Sequence, residues 1–277
     1  MCQIMGVSKS GYYKWLIASE STSAVKRREI VERIKASFFG SGKTYGSPRV
    51  HAELIKSGAE VSLSTVERLM KRLNLKSIIR KNWKRAKTNV DNNFFAENLL
   101  KRDFNPSVID KSWVSDITYI WTKSGWVYLS TVIDLCSKKV VGWCLSRRMD
   151  ASLVKDALTK PLSTRFSEKG LTFQSDQGAQ YKSKEVRKLL EVMNIRQSMS
   201  RRGICWDNAV AESFFKTIKH EFIKHQKFEG VTDAKSKIFE WIETFYNRKR
   251  LNSSLGFLSP EEYELKSMRF IKHLYHS

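Results

Sequence analysis

The chain has 277 residues, of which 41% are hydrophobic and 12% aromatic, so a largely disordered chain is excluded and at least one medium domain is expected. Fifty lysines and arginines stand against 28 acids, a net charge of +22, and a field of one sign this large points to a polyanionic partner. The excess is shared: 21 basic and 10 acidic residues in 1–110 give +11, which leaves +11 for 111–277.

Ile4-Met5-Gly6-Val7-Ser8 reads as a helix end, a glycine turn and a serine cap. A helix through Tyr12, Tyr13 and Trp15 should follow. The abrupt start suits the latter part of a helix-turn-helix whose front lies elsewhere, or a simple surface hairpin. Val25, Ile30, Ile34 and Phe38 keep helical spacing. Gly42-Lys43-Thr44 invites a phosphate-loop reading, but that motif needs glycine at Ser37 and a preceding strand, so ATP binding is rejected. Ser47-Pro48 starts the next helix, with the serine as cap, and Gly58 ends it. Ser62 or Ser64 caps a further helix, Thr65–Leu75. Two short helices joined by a glycine-containing turn form a helix-turn-helix candidate. The second helix leads into nine basic residues without an acid between Arg68 and Lys87. Arg68, Lys71 and Arg72 on the helix, and Arg80, Lys81, Lys84 and Arg85 beyond it, are expected to contact DNA phosphates. A polar linker covers 91–110.

From Lys111 the pattern changes. WVSDITYIW (113–121), WVYLSTVID (126–134) and 139–145 read as three antiparallel strands. A helix fits 151–166, a short buried strand 171–174, a helix 183–193, a strand 196–199 and a long helix from about Asn208 to His225. This order, βββαβαβα, is that of an α/β fold of the RNase H type. Tyr119, Tyr128 and Ser115 read as ordinary strand residues.

Three acids stand out by place. Asp116 lies mid-strand, where a charge is costly unless paired or bound to a metal. Asp176 sits at a strand end, where α/β sheets bind ligands. Glu212 lies one turn into the long helix, with 35 residues between it and Asp176. Taken singly, each acid also fits a lysine pair, a turn cap or a surface charge. Two-metal phosphoryl transfer needs a few converging carboxylates, and these three types in this order suit it. Asp134 and Asp207-Asn208 could support them from behind, although Asp207-Asn208 fits the cap of the long helix better.

WVSDITYIW, FQSDQGAQY and RRGICWDNAVAESFFKTIKHE resemble the catalytic core of bacterial insertion-sequence transposases of the "insertion sequence three" type, relatives of retroviral integrases. YGSPRVHAEL resembles that family's helix-turn-helix segment and YNRKRLNSSLGFLSPEEY its C-terminal motif. The resemblance implies that Asp116, Asp176 and Glu212 bind Mg²⁺, with Mn²⁺ as a substitute. It implies that Lys216 and Lys219, on the same helical face as Glu212, grip the element's end. It also implies cleavage and strand transfer of double-stranded DNA, a homo-oligomer, and fusion with an upstream-frame DNA-binding protein. Gln174 stands where many relatives carry His before Ser-Asp, and Asn252 where many carry His in the C-terminal motif. The expected division is a helix-turn-helix region 1–90, linker 91–110, catalytic core 111–228 and helical extension 229–277. An RNase H-like nuclease that does not join, or a non-catalytic DNA-binding regulator, are the alternatives.

Cys2, Cys136, Cys144 and Cys205 show no C-x-x-C spacing and the five histidines no zinc pattern, so reduced thiols are expected. No run of about 18 apolar residues or signal peptide is visible. A cytoplasmic protein working on a nucleoid or plasmid, with no membrane partner, is expected.

Overall fold

The computed structural model describes residues 2–17, 21–79, 106–165, 170–200 and 209–276, the side chains up to 269. The chain divides into two compact units, Met1–Arg80 and Lys81–Ser277.

The first unit is helical: α1 (Lys9–Ile17), α2 (Thr22–Gly40), α3 (Ser47–Lys56) and α4 (Leu63–Arg72). Ser8 Oγ accepts from the Gly11 amide at 3.0 Å at the start of α1, as its sequence suggests. Gly46, not Ser47, caps α3, which places Pro48 within its first turn where its missing N–H costs nothing. Ser62 rather than Ser64 caps α4, through the Thr65 amide. Gly58 turns the chain between α3 and α4 at φ +80°, a conformation open to glycine. Ile34 and Phe38 of α2, Val50 and Leu54 of α3, and Val66, Leu69 and Met70 of α4 are buried. Arg68, Lys71 and Arg72 are exposed. Helix α2 precedes the Gly42-Lys43-Thr44 turn, in keeping with the rejected phosphate loop.

The second unit is a five-stranded sheet with helices on both faces. Its strands are β1 (Ser112–Thr122), β2 (Gly125–Asp134), β3 (Val140–Ser146), β4 (Thr172–Ser175) and β5 (Arg196–Met199), in the order β3-β2-β1-β4-β5. The first three form an antiparallel meander, and β4 and β5 add in parallel. Helices α5 (Ala151–Thr164) and α6 (Lys184–Val192) cover one face, with Val154, Leu158, Val186 and Leu190 packed on Trp113, Val132 and Phe173. On the other face α7 (Ala209–Glu221) and α8 (Val231–Phe239) pack on Val114, Ile120, Leu129 and Ile133. A π-helical turn, Glu240–Tyr246, carries Trp241, Ile242 and Tyr246 into the same cluster. The chain closes with α9 (Pro260–His276). The mixed sheet between helices is the RNase H-like architecture expected from the sequence.

Two contacts set the packing. Helix α5 crosses β3 so closely that a Cβ on Gly142 would strike the Ala157 carbonyl and Pro161 Cγ and Cδ. The YNRKR segment ties the last helices to β3. The Asn247 amide exchanges two 3.0 Å hydrogen bonds with the Val140 backbone, and the Tyr246 hydroxyl donates to the Lys138 carbonyl.

Candidate active site

Asp116 sits in the middle of β1, opposite Thr131 of β2. Strand β4 pairs with β1 only at Ser112–Val114. The last of these pairs is Val114 with Gln174, and both chains place an aspartate two residues further on, Asp116 and Asp176. Alternation of side chains therefore delivers the two acids to one level of the sheet. Beyond Val114 the edge of β1 is left without β4, and α7 packs on β1. Glu212 lies in the first turn of that helix.

The charges of Asp176 and Glu212 both bear on Asp116. Burial raises the Asp116 carboxyl to about 7, and the neighbouring charges of Asp176 and then Glu212 add to the rise; the Ile117 amide, donating at 2.8 Å, and Lys219 oppose it. Asp176 is exposed and receives the Gly178 amide at 2.9 Å. A Cβ on Gly178 would lie 2.9 Å from Asp176 Oδ1 and Gln180 Oε1, so a side chain there would displace the Asp176 carboxylate or the Gln180 amide. Among the described residues no group of three or more His, Cys, Asp or Glu side chains is gathered tightly enough to hold a metal ion as it stands. Asp176 and Glu212 are thus near enough for their charges to reach Asp116.

Lys219 lies two turns along α7 from Glu212, with its ammonium 5.0 Å from the centroid of the Tyr119 ring. Burial lowers its pKa and the charge of Asp116 opposes that. Lys216 is exposed. Arg80, Lys81, Lys84 and Arg85 lie outside the described residues, as do Asp207 and Asn208.

Other expectations resolve into structural roles. Asp134 receives the Ser137 amide and hydroxyl and the Asp110 amide, at 2.7, 2.8 and 2.8 Å, and so fixes the β2–β3 turn. Asn252 caps a short 3₁₀ turn through Ser254. Sequence reasoning missed a buried polar layer beside the acids. Ser115 and Tyr181 share a 2.9 Å hydrogen bond, and burial raises the tyrosine well above its usual pKa. Both amide atoms of buried Gln174 and the Thr131 hydroxyl lack hydrogen-bond partners. Gln174 and Thr131 share the sheet face of Asp116 by register. The departure from His at 174 was the only sequence signal for this layer.

Two Integrase core domain matches cover residues 110–205 and 193–260, and an HTH-like domain matches 26–83. The chain is 36% identical to the transposase InsF of insertion sequence IS3A from Escherichia coli K12, over 97% of this chain and 94% of that one. The chain belongs to the IS3 transposase family. A second relative, the 31 kDa protein of insertion element IS600 from Shigella sonnei, is 37% identical over 96% of this chain and 98% of its own length. Among solved structures, the catalytic core of HTLV-2 integrase is similar over 56% of this chain and 95% of its own, with 12% identity and a TM-score of 0.42. The catalytic domain of Mos1 mariner transposase is similar over 49% of this chain and 71% of its own, with 15% identity and a TM-score of 0.42. As an IS3-family transposase the chain is a polynucleotidyl transferase of the DDE type, with an integrase core and a DNA-binding HTH-like domain. Among the described residues no helix is long and apolar enough to cross a membrane.

Proposed function

We propose that Asp116, Asp176 and Glu212 hold the divalent metal of this transposase, and that the same site first hydrolyses the element's end and then joins its 3′-OH to another phosphodiester. The observation that carries this is the effect of two acids, Asp176 from the end of β4 and Glu212 from the first turn of α7, on a half-buried Asp116 in β1. Carboxylate oxygens are the donors magnesium prefers, and a divalent cation would relieve the like-charge crowding that raises Asp116. Such an ion supplies an activated water and neutralises charge at the reacting phosphate. Lys216 and Lys219 hold the backbone of the end DNA. Arg68, Lys71 and Arg72, with Arg80, Lys81, Lys84 and Arg85, hold phosphates elsewhere on it. Magnesium is the metal, with manganese as a substitute.

The chain acts as a homo-oligomer, since two ends must meet, and in fusion with an upstream-frame DNA-binding protein. It works in the cytoplasm on nucleoid or plasmid DNA. Region 1–90 binds DNA, 91–110 links, 111–228 forms the catalytic core and 229–277 extends it.

The test incubates the full chain with labelled end DNA and Mg²⁺ and separates nicked from joined products. Joined product is expected with the native chain. Asp116→Asn, Asp176→Asn and Glu212→Gln should each reduce it by about three orders of magnitude or more, in line with the loss of a group central to transition-state charge. Nicking without joining would favour a nuclease, and full activity in the three variants would sink the site assignment.

A further inference from the structure

The β1–β2 hairpin carries three large aromatic rings into solvent: Tyr119 is 61% exposed, Trp121 58% and Trp126 50%. Rings of this size are normally buried, and a contiguous exposed group of them marks a binding surface. They brace one another edge-on. Tyr119 and Trp126 are 5.2 Å apart at 83°, and Trp121 and Trp126 5.0 Å apart at 71°. This packing fixes the rings in place while leaving half or more of each uncovered. The hairpin turn is pinned as well, by Lys123 paired with Glu229 at 2.8 Å and the Lys123 amide bonded to the Phe228 carbonyl.

The charge beside the rings is positive. The Lys219 ammonium lies over Tyr119 and has no salt-bridge partner among the described residues. Arg147, exposed, follows Ser146, which is paired to Tyr128 across the sheet from Tyr119. An apolar partner protein would have to bury these cations, whereas a nucleic-acid strand needs them. The position is also set. Asp116 and Tyr119 are three residues apart on one strand, about 10 Å. Glu212 and Lys219 are seven apart on α7, again about 10 Å. Strand and helix thus advance together from the acids to the aromatic patch, over a distance of about three nucleotides of one DNA strand. Tyr119 lies on the opposite pleat from Asp116, so a strand reaching both crosses the edge of β1 that β4 leaves free.

We propose that Tyr119, Trp121 and Trp126 form a stacking face for unpaired bases of the DNA strand running from the site of cleavage, with Lys219 on its phosphates. Duplex bases are covered by their neighbours, so the face selects ends that are frayed within the first few nucleotides. The inference rests on the reading that DNA ends come to Asp116, but it is tested by binding, which needs no chemistry.

The experiment mixes the full chain with two duplexes of one sequence, fully paired or with six terminal nucleotides left unpaired, each carrying 2-aminopurine at a position within those six. The native chain should bind the unpaired end about tenfold more tightly, the scale of stacking one base on an aromatic ring, and should quench the probe. Trp121→Ala and Trp126→Ala should lose both the preference and the quench while binding the paired duplex within about twofold, and Trp121→Phe should retain them. Equal binding of both duplexes by the native chain would overturn the proposal whether or not any variant folds. So would a preference that survives in the alanine variants. Sedimentation of the DNA-free protein adds a third arm: dissociation of an oligomer by Trp121→Ala, with quenching unchanged, would make the patch an interface between copies and overturn the stacking role. Intact strand transfer without a preference for unpaired ends would sink this inference alone.

Discussion

Asp116 is held where a carboxylate is least comfortable. Burial and two like charges raise it to about 7, far above the usual carboxylate range, so near neutral pH the metal-free fold carries a partly charged, unrelieved acid. The sign follows from linkage. A carboxyl raised in the folded state holds its proton more tightly than in the unfolded chain, so stability falls as pH rises from about 4 to about 7. Asp116→Asn removes that penalty. Thermal unfolding without metal should show the variant melting about 2–4 °C higher at pH 8, the shift that 1 kcal/mol makes in a protein of this size, with the difference vanishing at pH 5. A lower melting temperature for the variant at pH 8 would mean that Asp116 is held by a favourable partner. At the same scale, the Glu221–Arg250 pair is buried with both bonds at 2.6 Å. Glu221→Gln should cost about 3–5 kcal/mol in urea unfolding, because it removes the negative charge of a buried ion pair.

At the scale of elements, the strands and helices of the sheet were legible because β-branched and aromatic runs and helical spacing survive in the sequence. WVSDITYIW and WVYLSTVID fall within β1 and β2, and the helix expected over 183–193 is α6, Lys184–Val192, with Ser183 as its cap. The strand order was not legible from spacing, since which edge β4 joins depends on crossovers that leave no periodic mark. Tyr119 read as an ordinary strand residue because alternation gives its face and not whether a helix covers that face. The long helix expected to reach His225 ends at Glu221 and passes into a 3₁₀ turn, with Phe222 and Phe228 packed against each other there. Gly142 carried no signal at all: only the crossing of α5 over β3 explains it. Gly142→Ala should destabilise by about 1–3 kcal/mol, the cost of overpacking against backbone that cannot retreat. A urea titration reads this as a lower midpoint with an unchanged slope, and a neutral result would mean that α5 is free to shift away from β3.

At the scale of the whole catalytic unit, four distant segments meet at Glu264. Arg165 binds it at 2.6 Å and also binds Asp110 at 2.8 Å, Lys139 binds it at 2.9 Å, and the Ser137 hydroxyl oxygen lies 3.0 Å from it. Partners up to 127 positions apart are invisible to local pattern, which is why 229–277 read only as an extension. Burial pushes Glu264 up, but Arg165 and Lys139 outweigh it and hold it below the usual range. A depressed carboxyl contributes stability above its unfolded pKa and loses it as pH falls through the folded one. Glu264→Gln should therefore destabilise at pH 7 by about 3 kcal/mol or more, with the gap to the native chain closing in acid. An unchanged melting temperature at pH 7 would show that the C-terminal helix is not tied to the sheet through this residue. The central claim, that carboxyls from β1, β4 and α7 share divalent ions, is tested most directly by a crystal structure with Mn²⁺ and an anomalous difference map. Peaks about 2.0–2.3 Å from the carboxylate oxygens of Asp116, Asp176 and Glu212 are expected, at the distances of hard-cation sites. Manganese bound elsewhere, with these three carboxylates free of it, would contradict the account.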